Sequence, residues 1–442
     1  MKLQSNGHGT QHGEEVDDLL RPGVQKGHHN HQDADHQGHS NGTSINAAYI
    51  PVKKELGEGT DKNGTSSERP QMGLVLIDHV ICGFVVAPLV IAFWWSTWDL
   101  LDLVVFPDNH ELSYWVCIAA GGIFNGFAYC LQEWTFRRAQ KANLVESIIL
   151  HRAYAFVFGA STVSLWRGVW DCWDHYSGIN AVSVASSIII GLLTLIPLRA
   201  FRAAKSPPLF MCNDLENEGF DCTSRFTRKF KEGKVLYILD NLFTAWIIHP
   251  LYVTLWRGVW TTMDLIIYPE DITNSIWVTL AFGYPLTLIC YLLQIPSFYL
   301  YELITNAKLS VRTSVLCKIL VDDIVHVFVH IATIAVWRGW WELYVHYIPG
   351  SGGTLRLYLS SIVSFLILSL MMTANSVLGH GCEVDGEEGP APFFYIKYTR
   401  YFKEIWQKKM TKKKCTEEKG EKQSVELMDL VSEKTIFRET AC

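Results

Sequence analysis

The pentapeptide Trp-Arg-Gly-x-Trp occurs three times: Trp166-Arg167-Gly168-Val169-Trp170, Trp256-Arg257-Gly258-Val259-Trp260 and Trp337-Arg338-Gly339-Trp340-Trp341. A degenerate copy stands at Trp94-Trp95-Ser96-Thr97-Trp98. Each copy closes an apolar run and precedes a short loop and a second apolar run. The motif therefore divides the chain into four units, each of two apolar runs.

The units are related in alternation. Asp78 and Asp240 both lie sixteen residues before their motif, and Pro88 and Pro250 both lie six before it. Beyond the motif, Asp102 matches Asp264, Pro107 matches Pro269 and Gln132 matches Gln294. Units two and four share a different ending, WRGVWDCWDHY against WRGWWELYVHY, in which Asp171 matches Glu342 and His175 matches His346. Ordered matches of this length mark an internal repeat, and duplication of a two-unit ancestor accounts for them.

The apolar runs are approximately Leu74–Trp95, Tyr114–Leu131, Ile148–Trp166, Ile179–Leu198, Leu239–Trp256, Ile276–Ile295, Ile319–Trp337 and Leu355–Leu378. Each is long enough to cross a bilayer as a helix, and lipid demands that backbone groups pair within the segment. Sixteen Trp and eighteen Tyr cluster at the ends of these runs, the distribution of interfacial aromatic belts. The expected fold is an all-α polytopic membrane protein. Its eight transmembrane helices are built from four two-helix units, duplicated as two parallel halves. The expected boundaries are a polar, disordered cytoplasmic tail at 1–72, a first membrane half at 73–198 and a cytoplasmic linker at 199–238. A second half at 239–379 and a cytoplasmic tail at 380–442 follow. Gly121, Gly122 and Gly126 point to close helix contact. Pro88 and Pro250 are expected to kink their helices at equivalent depths.

Lys and Arg are placed asymmetrically. The stretch Ser96–Ser113 has none, whereas the opposite loops carry Arg137, Arg138, Lys141, Arg199, Arg202, Lys308 and Arg312, among others. The positive-inside rule puts both termini in the cytoplasm and every motif at the outer interface. The sequons at Asn41 and Asn63 then fall inside and are expected to go unused. No apolar segment follows Met1 as a cleavable signal would require. Seven histidines in the first 72 residues lack the Cys or carboxylate framing of a metal site, so no metal or other cofactor is expected. Eleven scattered cysteines give no disulfide framework: Cys82, Cys117, Cys130 and Cys290 suit packing, and Cys415 a cytosolic thiol.

Arginine at a membrane boundary must reach water, phosphate or a carboxylate. Glycine at its side lets the chain leave the helix, and the flanking tryptophans favour the interface. The motif residues Trp166, Arg167, Gly168, Trp170, Trp256, Arg257, Gly258, Trp260, Trp337, Arg338, Gly339 and Trp341 therefore read as interface anchors. The arginines are expected to reach lipid phosphate or Asp171, Asp264 and Glu342. The competing reading is an anion-binding vestibule. A second candidate set lies inside the spans: Asp78, Asp240, and the ladder Asp322, His326 and His330, which share one helix face at four-residue spacing. Such a ladder could carry protons. Its structural alternative is pairing with Asn125, Asn241 or His249. Phe393–Met410 has the pattern of a basic amphipathic helix on an anionic leaflet, and the terminal Thr440-Ala441-Cys442 is a poor PDZ ligand. No nucleotide loop, nucleophile elbow or metalloprotease motif occurs, so no catalytic residue and no enzymatic activity are expected. Nothing in the pattern points to nucleic acid.

LWRGVWDCWDHY, LWRGVWTTMDLIIYPE and VWRGWWELYVHYIPG at the ends of odd-numbered runs, in an eight-run chain, resemble the Fuseless family of invertebrate animals over roughly Met72 to Gly379. The resemblance implies a non-enzymatic multi-pass protein of the plasma membrane at presynaptic active zones. It also implies the lipid bilayer and voltage-gated calcium channels or active-zone scaffold proteins as partners, and a role in transmitter release. The alternative is a proton-coupled secondary transporter, since duplicated halves with midplane polar groups are usual there. Four runs per half make the halves parallel rather than inverted.

Overall fold

A computed structural model describes residues 72–204, 206–214, 222–228, 233–348, 353–378, 384–385, 396 and 398–399, all within one compact unit, Tyr49–Cys442. The tail at 1–71, its sequons and histidines, most of Phe393–Met410, Cys415 and the C-terminal tripeptide lie outside the described residues. The described chain is helical. In order it runs α1 Gly73–Val104, α2 His110–Lys141, α3 Leu144–Ser177, α4 Ala181–Leu195, α5 Lys234–Ile266, α6 Ile272–Asn306, α7 Val311–Tyr347 and α8 Gly353–Leu370. Seven of these are long and apolar enough to cross a membrane; α4 is apolar but shorter.

Polar residues start the helices. Asn109, Asn143, Asn180, Asp271 and Ser310 each accept a hydrogen bond from a first-turn amide of α2, α3, α4, α6 and α7 in turn. Pro88 and Pro250 lie two residues beyond five-residue π-helical turns, Cys82–Val86 and Thr244–Ile248. Proline lacks the amide that the previous turn needs and crowds its carbonyl. The wider turn absorbs that clash, so α1 and α5 carry π bulges at matching positions where kinks were expected.

The eight helices close into a ring. Each motif-bearing helix packs on the second helix of the preceding hairpin: α3 on α2, α5 on α4, α7 on α6, and α1 on α8. The close approaches use glycine. A Cβ on Gly121 would stand 2.4 Å from the Leu165 amide nitrogen, and one on Gly283 3.0 Å from that of Val336. The motif helices face one another around a central axis. The outward faces expose Phe124, Phe127, Leu193, Leu292, Leu366 and Leu370, an apolar coat that suits a bilayer.

Two segments turn back into the bundle after α4 and α8. Each opens with a 3₁₀ turn, Phe201–Ala204 and Ala374–Val377. They cap each other. Asp385 accepts from the amides of Phe201 and Arg202, and Asp214 accepts from those of Ala374 and Asn375. The Cys212 amide donates to Ser376 Oγ across the contact.

Candidate functional site

Spacing of four residues puts the two outer tryptophans of each motif on one helix face. In all four motif helices that face points to the axis. The first tryptophans form a closed circuit: Trp94–Trp166, Trp166–Trp256, Trp256–Trp337 and Trp337–Trp94 have ring centroids 5.3, 5.3, 5.4 and 5.3 Å apart. Successive planes meet at 82–90°, the edge-to-face geometry that aromatic quadrupoles favour. One turn further along, Trp98, Trp170, Trp260 and Trp341 repeat the circuit at 6.0, 5.7, 5.8 and 5.6 Å. The eight indoles, with Asp171, Asp174 and Glu342, line a cavity of about 220 Å³.

The narrower tier stands on the two re-entering segments. Trp94 Nε1 donates to the Val377 carbonyl at 3.1 Å, and Trp337 Nε1 to that of Pro207 at 2.7 Å. Backbone thus meets the first tier from below, while the carboxylate end leads to solvent: the Asp171 and Asp174 side chains keep 32 % and 28 % of their exposure.

The arginines point away from the axis, into the seams between helices. Arg167 Nε bonds Asp102 of α1 at 2.6 Å and its Nη1 reaches Cys117 of α2. Arg257 Nε bonds Asp174 of α3 at 2.7 Å, while Nη1 and Nη2 reach Ser187 Oγ of α4 and the Gly178 carbonyl. Arg338 Nε bonds Asp264 of α5 at 2.6 Å, and its Nη atoms reach Thr279 and Ser275 of α6. Each guanidinium therefore ties its own helix to the preceding motif helix and to the helix between them. The planar fork of donors makes such triple attachment feasible.

This corrects the expected partners. Of the three expected carboxylates, Asp264 is bound, but by Arg338 of α7 rather than by Arg257 of its own helix. Asp171 lies 3.4 Å from Arg167 but is secondary to Asp102. Glu342 makes no ion pair among the described residues; Arg338 pairs with Asp264 instead. Reading each arginine against its own helix missed Asp174, the eighth residue after Trp166, as Asp102 and Asp264 are after Trp94 and Trp256. The glycines do not end their helices either. Gly168, Gly258 and Gly339 lie within α3, α5 and α7, which run on to Ser177, Ile266 and Tyr347. They admit a neighbour: a Cβ on Gly168 would stand 2.7 Å from the Ile118 nitrogen and the Tyr114 carbonyl oxygen. Trp256 and Trp337 are 3 % and 4 % exposed, packed within the bundle.

The intraspan set is not brought to the tryptophan cavity. Asp78 accepts from the Thr399 amide and hydroxyl at 2.6 Å each. Asp240 accepts from Ser224 Oγ and the amides of Phe226 and Arg228. Both aspartates hold backbone that follows a helix pair. The α7 ladder is buried, with His326 Nδ1 on the Asp322 carbonyl oxygen at 2.7 Å and the His330 ring 4.6 Å from that of Phe201. Asn125 bonds Ser161 and Thr162, and His249 bonds Tyr129, so neither is the ladder's partner through those contacts.

The Fuseless family model matches residues 73–378, which includes all eight helices and both tryptophan tiers. The chain belongs to the Fuseless family. No curated protein and no solved structure matches it. For this Fuseless-family chain the helices and their apolar coat indicate a membrane protein. Its described residues contain no group of three or more metal-ligating side chains.

Proposed function

We propose that this chain is a non-enzymatic organiser of the presynaptic plasma membrane, placing voltage-gated calcium channels or their active-zone scaffold and so supporting transmitter release. Membership of the Fuseless family carries the reading. On it the protein spans the bilayer eight times as two parallel halves, with both termini cytoplasmic and the motif ends outside. A tag near Asn109 is then labelled on intact cells, and tags at Met1 and Cys442 only after permeabilisation.

The geometry lends support. Three buried arginines and two mutually capped segments lock the centre of the bundle. That suits a rigid body that presents lateral surfaces to partners better than one that alternates access. The secondary transporter stays as a second reading because a central cavity and a buried histidine pair are present. The deciding experiment removes the chain from nerve terminals and counts calcium channels there, alongside uptake, current and pH recordings from cells expressing it alone. Fewer channels and no flux are expected. Normal channel density together with a proton-coupled flux would reverse the assignment.

A further inference from the structure

The tryptophan cavity has features that helix packing does not require. Eight of the sixteen tryptophans line one space of about 220 Å³. At about 30 Å³ per water in the liquid, it holds on the order of seven waters, or one small organic molecule. The second tier closes as the first does but is wider, and it opens towards carboxylates.

The charge of the lining has one sign. Among the described residues, Asp171, Asp174 and Glu342 are the only ionisable groups that line the cavity. The three arginines lie behind the walls with their charge already taken by Asp102, Asp174 and Asp264. Glu342 has no ion-pair or hydrogen-bond partner among the described residues. Such a space repels anions. It also suits sodium poorly, because indoles cannot replace the hydration shell of a small ion. A bulky, weakly hydrated cation gains from both components: indole π systems attract diffuse positive charge, and Glu342, the lining carboxylate that no arginine holds among the described residues, compensates it.

We propose that this cavity binds an alkylated ammonium group, with the outer-tier indoles of Trp98, Trp170, Trp260 and Trp341 as its cage and Glu342 as its counter-ion. The group could arrive on a free solute or on a choline lipid headgroup; the chemistry recognised is the same.

The test uses the full chain purified in maltoside detergent free of choline lipids. Tetramethylammonium chloride is titrated while tryptophan emission is read, with sodium chloride at equal ionic strength as the control. A saturable change is expected, since half of all the indoles line the site. Choline is then compared with its uncharged isostere 3,3-dimethylbutanol, which should bind roughly tenfold or more weakly. Glu342→Gln breaks no bond of the fold, so it should keep the melting temperature and weaken choline roughly three- to tenfold. Trp260→Phe should retain part of the affinity and Trp260→Leu lose most of it. Repeating the titration in nanodiscs of phosphatidylcholine and of uncharged galactolipid separates the sources: weaker apparent binding in the former assigns the site to the headgroup, and equal binding assigns it to the free cation. The proposal fails if emission does not saturate in the folded chain, if the isostere binds as well as choline, or if folded Glu342→Gln binds choline unchanged.

Discussion

Three of the four seams between motif helices hold a buried arginine, and the fourth does not. At α1–α3, α3–α5 and α5–α7 an arginine bonds an aspartate eight residues beyond the preceding motif's first tryptophan. At the seam where α7 meets α1, Trp95 stands where the arginine would be, and Val345 where the aspartate would be. Both partners are missing together, as reciprocal dependence requires. Aromatic and neutral polar contacts take their place. Trp95 packs on Tyr344 at 5.6 Å with Arg356 of α8 6.0 Å from its ring, and Thr97 meets Ser361 at 3.1 Å. The fourth seam joins the two ends of the folded chain. The ring is therefore covalently continuous and stapled by ion pairs at three joints; at the joint where the ends meet, the described residues show aromatic and neutral polar contacts with Arg356 over Trp95 and no such ion pair.

The sharpest break of this pattern is Arg257→Leu. The residue is fully buried and bonds Asp174 of α3, Ser187 of α4 and the Gly178 carbonyl in the loop between them. Its loss leaves Asp174, Ser187 and the Gly178 carbonyl without that donor, at an expected cost of about 3–5 kcal/mol. Surface expression and detergent melting temperature should both fall. Arg257→Lys should also be destabilising, by about 1–3 kcal/mol, because one ammonium cannot reproduce the fork. A Lys variant that melts like the parent would mean that interfacial charge alone matters and that the staple is incidental.

Next come the glycines. On Gly168 a Cβ would meet the Ile118 nitrogen and the Tyr114 carbonyl oxygen, backbone atoms that cannot move aside. On Gly339 the nearest atom is Leu280 Cδ2 at 2.6 Å, a side chain that can rotate. Gly168→Ala should cost about 1–3 kcal/mol and Gly339→Ala less. Equal losses of melting temperature would show that both seams are equally rigid, against the contrast drawn from their neighbours.

A third variant installs the missing staple. Trp95→Arg should destabilise alone, since it empties an aromatic site and buries a charge. Val345→Asp offers that charge a partner, and the double variant should recover about 1 kcal/mol relative to the sum of the singles. A double-mutant cycle of melting temperatures measures it. An additive result would place the two positions out of reach of each other and undo the equivalence of the four seams.

Much of this could be read in the chain beforehand, and the remainder has identifiable causes. Hydropathy announces the apolar helices, and the spacing of Asp78 and Pro88 against Asp240 and Pro250 anticipates the matching π bulges. The four-residue spacing of tryptophans says that they share a face. It does not say whether that face turns to lipid or to the axis, because indole is at home in either. Arginine partners were sought one or two turns away on the same helix, which local geometry suggests, whereas the bonded aspartates sit on the preceding motif helix. The recurrent Asp102, Asp174 and Asp264, absent at Val345 just where arginine is absent at Trp95, was the available signal. The re-entering segments were hidden for another reason: a polar loop that packs inside a bundle has the composition of one in water.

The smallest effect belongs to His330 on α7, the helix common to the third and fourth seams. Its ring is 2 % exposed and neither nitrogen has a hydrogen-bond partner among the described residues. A motif arginine loses bonds when it is replaced, whereas this histidine has none to lose. Its ring neighbours are Phe201 at 4.6 Å and His326 at 6.4 Å, and it lines an apolar crevice with Leu255, Phe282 and Val327. His330→Leu keeps a similar volume and relieves an unpaired polar group, so its stability should lie within about 1 kcal/mol of the parent or above it. Detergent melting temperature and intracellular pH, measured on the same variant, separate the two roles available to a buried imidazole. Unchanged melting with unchanged pH handling is the expected pair. Unchanged melting with a lost pH response would mean that this buried ring exchanges protons, and that the unstapled seam beside it belongs to a transport path.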